Sequence, residues 1–152
     1  MPISIKTYIR AVWLFTPFVL LCSPQVVAAV CVFSDYSVRD EFERSFAVAI
    51  GTVVSERATP ESKDLYEGVT YTIDVEESFR GRVPATIELF SENSSGRFPM
   101  TKGEKYVLFL YQLADRLAVD NCGNSGPVAE NQDVFTAVRQ LAKVAHELQK
   151  PN

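Results

Sequence analysis

The chain has 152 residues, 47% hydrophobic, 22% charged and 11% aromatic, which is one domain able to build a packed core. Fifteen Lys+Arg stand against nineteen Asp+Glu, a net charge of −4. That balance argues against nucleic acid as a partner, because phosphate binding needs a basic face.

The chain opens with a secretory pattern. Lys6 and Arg10 supply a positive start, Ala11 to Cys22 is an apolar run of twelve, and Val27-Ala28-Ala29 offers a small residue at a cut. Residues 1–29 therefore read as a signal peptide cleaved after Ala29. Twelve helical residues reach only about 18 Å, short of a hydrocarbon core of roughly 30 Å, which disfavours a membrane anchor. Cys22 and Cys31 also follow apolar residues, but lipid attachment needs a small residue before the cysteine, and Leu21 and Val30 are not small.

Removing 29 of the 152 residues leaves 123, and losing Lys6 and Arg10 takes the net charge from −4 to −6. The expected address is secreted or periplasmic, with no stable membrane insertion after cleavage. Of three cysteines two remain, Cys31 and Cys122, and in an oxidising compartment an even pair reads as one disulfide. Closing a loop of 91 residues would stabilise by roughly 4–5 kcal/mol in the chain-entropy account.

The mature chain begins with a helical signal over Val38 to Ser45. Ser37 can cap it, Asp40 and Glu41 suit its N-terminus, and Val38, Phe42 and Phe46 share a face. Phe46 to Ser55 is a β-branched, apolar run that reads as a buried strand, with Gly51 marking a bulge or bend. Glu56 to Gly68 is charged and contains Pro60, and reads as an exposed hairpin loop.

Val69 to Val75 alternates: Val69, Tyr71, Ile73 and Val75 face one way, the polar residues the other. Arg80 to Pro84 is a turn, Thr86 to Phe90 a strand and Ser91 to Gly96 a polar loop. Lys105 to Leu113 is the most apolar strand and is expected to be central. Asp115-Arg116 turns into a fifth strand, Leu117 to Val119. From Pro127 the chain reads helical, with Val134, Val138, Leu141, Ala145 and Leu148 on one stripe and Pro151 as its stop. Five short strands favour a small OB-fold-like barrel over a sandwich of about seven strands. The fold class is thus mainly β, with residues 30–126 as the domain and a C-terminal helix over 127–152 packed on it.

An ordered set of motifs resembles the tissue-inhibitor-of-metalloproteinases-like branch of the netrin-module superfamily, as a bacterial-type secreted member. The set comprises Cys31, the strand Phe46 to Ser55, the segment Val75-Glu76-Glu77-Ser78-Phe79-Arg80-Gly81, Phe98 with Gly103-Glu104-Lys105-Tyr106-Val107-Leu108-Phe109, and Cys122-Gly123. The resemblance implies an OB-fold whose N-terminal cysteine pairs with the late one, here Cys31 with Cys122. It also implies inhibition of zinc endopeptidases, in which the α-amine and carbonyl of a first-residue cysteine chelate the zinc. Cleavage after Ala29 leaves Val30 ahead of Cys31 and puts an amide where that amine must be; cleavage after Val30 exposes it. The late motif here is Cys122-Gly123-Asn124-Ser125.

No catalytic constellation is legible, and no cofactor is expected. His146 is the one histidine and reads as a surface residue near a helix end. Asp74, Glu76 and Glu77 fit a solvated strand face. Asn93-Ser94-Ser95 matches a glycosylation acceptor. Tyr66, Phe98 and Tyr111 are the aromatics whose exposure separates a base- or sugar-stacking role from a core role. The function expected is a non-catalytic exported module that binds another exported protein. The alternative is inhibition of zinc metalloendopeptidases through Cys31.

Overall fold

A computed structural model describes residues 36–60 and 66–148. The expected signal peptide and Cys31 lie outside the described residues.

Helix α1 spans Val38–Arg44. Ser37 caps it: its hydroxyl accepts from the Asp40 N–H at 3.1 Å and donates to the Asp40 carboxylate at 2.7 Å. Ser45, expected inside the helix, closes it instead; its N–H and hydroxyl both donate to the Glu41 carbonyl, at 2.9 and 2.7 Å.

Strands β1 (Ala47–Pro60), β2 (Tyr66–Arg80), β3 (Thr86–Glu92), β4 (Lys105–Leu113) and β5 (Arg116–Val119) form a ring-like sheet in the order β1-β2-β3-β5-β4. It closes because β4 pairs back on β1, from Ala47 opposite Leu110 to Thr52 opposite Lys105. Neighbours are antiparallel except β3 and β5, which meet in parallel at Leu89 and Leu117. A two-residue strand, β6 (Gly126–Pro127), adds to β4 at Tyr106 and Val107.

The sheet buries residues on both sides. One cluster joins Tyr71, Ile73, Ile87, Leu89, Tyr106, Leu108 and Leu110. The alternation expected for β2 is therefore kept. A second cluster joins Phe42 of α1, Val48 of β1, Val107 and Phe109 of β4, and Val134 and Val138 of helix α2 (Gln132–Leu148). β4 thus has buried residues on both faces, which is why its run is continuously apolar instead of alternating.

Several boundaries differ from expectation. The charged stretch read as a loop from Glu56 continues as β-structure, with Arg57 opposite Thr70, Ala58 opposite Val69 and Thr59 opposite Gly68. An exposed two-stranded ribbon needs no apolar face, so composition could not reveal it. β2 also continues past its expected end at Val75 to Arg80, the first residue of the expected turn, whose guanidinium donates to the carbonyls of Glu43 and Ser45 at 2.7 and 3.2 Å. Gly81 then ends the strand at φ +66°.

α2 begins at Gln132, not Pro127, because residues 127–131 form a turn in which Glu130 and Asn131 both donate to the Pro127 carbonyl. Leu148, assigned to the packed stripe, is 82% exposed at the helix end, and Phe46 is 49% exposed. Among the described residues no helix is long and apolar enough to cross a membrane.

Candidate functional site

The Cys122–Ser125 segment is fastened to α1 by one buried carboxylate. Glu41 is fully buried. Its Oε2 accepts from the Asn124 backbone N–H and from Asn124 Nδ2, both at 2.6 Å, and its Oε1 accepts from the Tyr111 hydroxyl at 3.0 Å. The two short bonds have the length of charge-assisted hydrogen bonds. A carboxylate taken out of water needs hydrogen-bond donors in its place, and here three donors, from Tyr111 and Asn124, supply them.

The rest of the segment is held as tightly. Asp120 Oδ1 accepts from the Cys122 N–H at 2.8 Å, and Ser125 Oγ accepts from the Phe109 N–H at 2.9 Å. Gly123 lies against the Glu41 carboxylate, where a Cβ would fall 2.2 Å from Oε1. Asn124 Nδ2 also donates to the Tyr36 carbonyl at 3.1 Å, tying the first described residue to the same segment. Cys122 itself is disulfide-bonded; Cys31, its expected partner, lies outside the described residues.

Burial pushes the Tyr111 phenol up to about 12, and the Glu41 carboxylate beside it adds to the rise. An unfolded tyrosine titrates near 10. Between about pH 10 and about 12 the unfolded chain gives up this proton before the folded one, so stability present below pH 10 is lost as pH rises. Urea midpoints at about pH 9 and about pH 11.5 should fall further for the wild type than for Tyr111→Phe.

The other residues singled out by sequence are dispersed. Asp74 accepts from Thr86 Oγ1 at 3.0 Å. Glu76 accepts from Lys105 Nζ at 2.6 Å and Thr52 Oγ1 at 2.8 Å, and these bonds, the lysine first, hold its carboxyl below the usual value. Glu77 accepts from Arg139 at 3.4 Å. All three are exposed, each with its own partner.

His146 lies exposed in a groove of about 470 Å³ beside Phe79, Arg139 and Lys143. Among the described residues no cluster of His, Cys, Asp or Glu is arranged to hold a metal. Asn93 is exposed in the β3–β4 connection. Phe98 is buried and packs edge-on against Tyr106 at 6.2 Å. Tyr111 is half-buried over Glu41, and the side chain of Tyr66 lies outside the described residues.

Sequence reasoning missed Glu41 and Asn124 as partners. An acid in a first helical turn reads as a dipole effect, and its burial depends on contacts 83 residues away.

No protein-family model matches the sequence, and no characterised protein is significantly similar to it.

Proposed function

We propose that the chain is an exported, non-catalytic module with an OB-fold, bridged between Cys31 and Cys122, that binds another exported protein through the edge where α1 meets the Cys122–Ser125 segment. The strand order β1-β2-β3-β5-β4 with closure on β1 supports the OB-fold, a five-stranded Greek-key ring. The observation that carries the functional reading is the Glu41 clamp. The buried carboxylate accepts from Tyr111 and twice from Asn124, and so ties α1 to the Cys122–Ser125 segment as a rigid edge.

That edge presents Tyr36 with the Arg44 guanidinium 4.2 Å from its ring centroid. Tyrosine and arginine are the residue types that dominate binding energy at protein interfaces. A rigid edge also lowers the ordering cost of association. The test is capture of a partner from the host's exported fraction on the immobilised mature chain. One partner should be recovered reproducibly, and the Tyr36→Ala, Arg44→Ala double variant should bind it at least tenfold more weakly, about 1.4 kcal/mol. Failure to recover any partner, or equal binding by the variant, contradicts the reading.

A second reading, inhibition of zinc metalloendopeptidases, draws on the Asn124 bond to the Tyr36 carbonyl. That bond brings the chain five residues after Cys31 alongside the residue two after Cys122. The mechanism requires Cys31 as first residue, because its free amine and carbonyl would displace the zinc-bound water. A mature chain beginning at Val30 lacks that amine and should not inhibit.

A further inference from the structure

The groove that holds His146 continues past it. A depression of about 470 Å³ toward Arg139 and one of about 510 Å³ toward Phe46 share Glu77, Phe79, Ala142 and His146, and make one trough between the end of β2 and α2. We infer that this trough binds an extended peptide of alternating acidic and apolar residues, supplied by another protein. The inference does not depend on the α1-edge reading, since a peptide needs only the trough.

The floor is apolar and open. Phe79 is half-buried and braced edge-on by Phe135 at 6.2 Å. Phe46 lies 49% exposed at the far end. On the helix side Ala142 and Ala145 carry single methyl groups, and their small size leaves the trough unfilled. An open trough covers one side of an extended chain, whereas a fatty-acid tail needs enclosure.

The rim is cationic in a chain of net charge −4. Arg80, Arg139, Lys143 and His146 line the trough against Glu77 and Glu147. Glu77 is already turned to Arg139 at 3.4 Å. Among the described residues Lys143 and His146 form no ion pair, and Arg80 donates to the carbonyls of Glu43 and Ser45 rather than to a carboxylate. Carboxylates are therefore the complementary ligand charge.

Spacing favours alternation. Arg139, Lys143 and His146 follow one another at four and three residues, a single stripe of α2 beside the floor. Successive members stand about 6 and about 4.5 Å apart along the helix axis. In an extended chain every second side chain points the same way, about 6.6 Å from the last. With the apolar residues of such a peptide turned to Phe79 and Ala142, the acids between them face the cationic rim at nearly the spacing of the stripe.

Binding of a fluorescein-labelled hexapeptide of alternating aspartate and leucine to the exported chain tests this, with lysine–leucine and aspartate–serine hexapeptides as comparisons. The aspartate–leucine probe should bind with a Kd of about 100 µM or tighter and shift the amides of Phe79, Ala142 and His146. Lys143→Glu reverses an exposed cation and should weaken that binding about tenfold, whereas Lys102→Glu, the same charge change in the β3–β4 connection, should leave it unchanged. The inference is overturned if the probe does not bind at about 1 mM, if either comparison peptide or decanoate binds as tightly, or if Lys143→Glu weakens binding no more than Lys102→Glu does. A dimer in sedimentation that Lys143→Glu converts to monomer would make a second copy the occupant and overturn it as well.

Discussion

Glu41→Ala should be among the most damaging single substitutions in the chain. It strips the acceptor from three donors at once: the Tyr111 hydroxyl, the Asn124 N–H and Asn124 Nδ2. Hydrogen bonds to a charged group contribute about 1.5–3 kcal/mol each, and buried donors left without partners carry a further penalty. Relief from burying the charge offsets part of this. A net loss of about 3–5 kcal/mol is expected, lowering Tm by roughly 10–20 °C for a domain of this size. Glu41→Gln keeps the volume but sets an NH₂ group among donors, and should cost about 2–3 kcal/mol. Thermal unfolding of both variants, with Phe46→Ser as an exposed control, checks the order. Equal stability of Glu41→Ala and wild type would remove the clamp from the account.

Gly51→Ala should cost about 2–4 kcal/mol, the overpacking range for a site where backbone must move. Gly51 sits in β1 between β2 and β4, opposite Val75 on one side and Tyr106 on the other. An added Cβ would fall 2.6 Å from Ile73 Cγ2 and 2.7 Å from the Asp74 carbonyl oxygen. The side chain could shift, but the carbonyl belongs to the backbone of β2, which is held between β1 and β3. Gly103→Ala gives a contrast of another kind: a Cβ there meets nothing within 4 Å, and only the φ of +86° opposes it. Denaturant unfolding of the two variants should rank Gly51→Ala as the less stable.

These two sites differ in how far the sequence announces them. Gly51 inside a β-branched run signals a bulge, and the pairing register does shift between Ile50 and Gly51. Likewise, the alternation of β2 and the continuous run of β4 identify which residues are buried, because period and burial follow from the same pleat. The ribbon over residues 56–60 stayed hidden, since its strands are held by cross-strand backbone bonds and by the Thr59–Thr70 hydroxyl pair rather than by apolar pattern. β6 is two residues long and has no period to read. The start of α2 was misplaced by five residues because Pro127 suits a first helical turn as well as the turn it occupies.

At the candidate site the motif Cys122-Gly123-Asn124-Ser125 was legible as a unit, but its partner was not. Glu41 reaches it only because the ring brings α1 against the far end of the chain. Pairing across 83 residues leaves no local trace in a single sequence.

We propose that the chain is exported and that Cys31 is bridged to Cys122. The intact mass of the exported protein, with and without reductant, tests that most directly. The prediction is a chain beginning at Val30 that gains about 2 Da on reduction, as one opened disulfide requires. A mass that retains residues 1–29, or one unchanged by reductant, would contradict it, and a chain beginning at Cys31 with the bridge present would favour zinc-endopeptidase inhibition over the protein-binding reading.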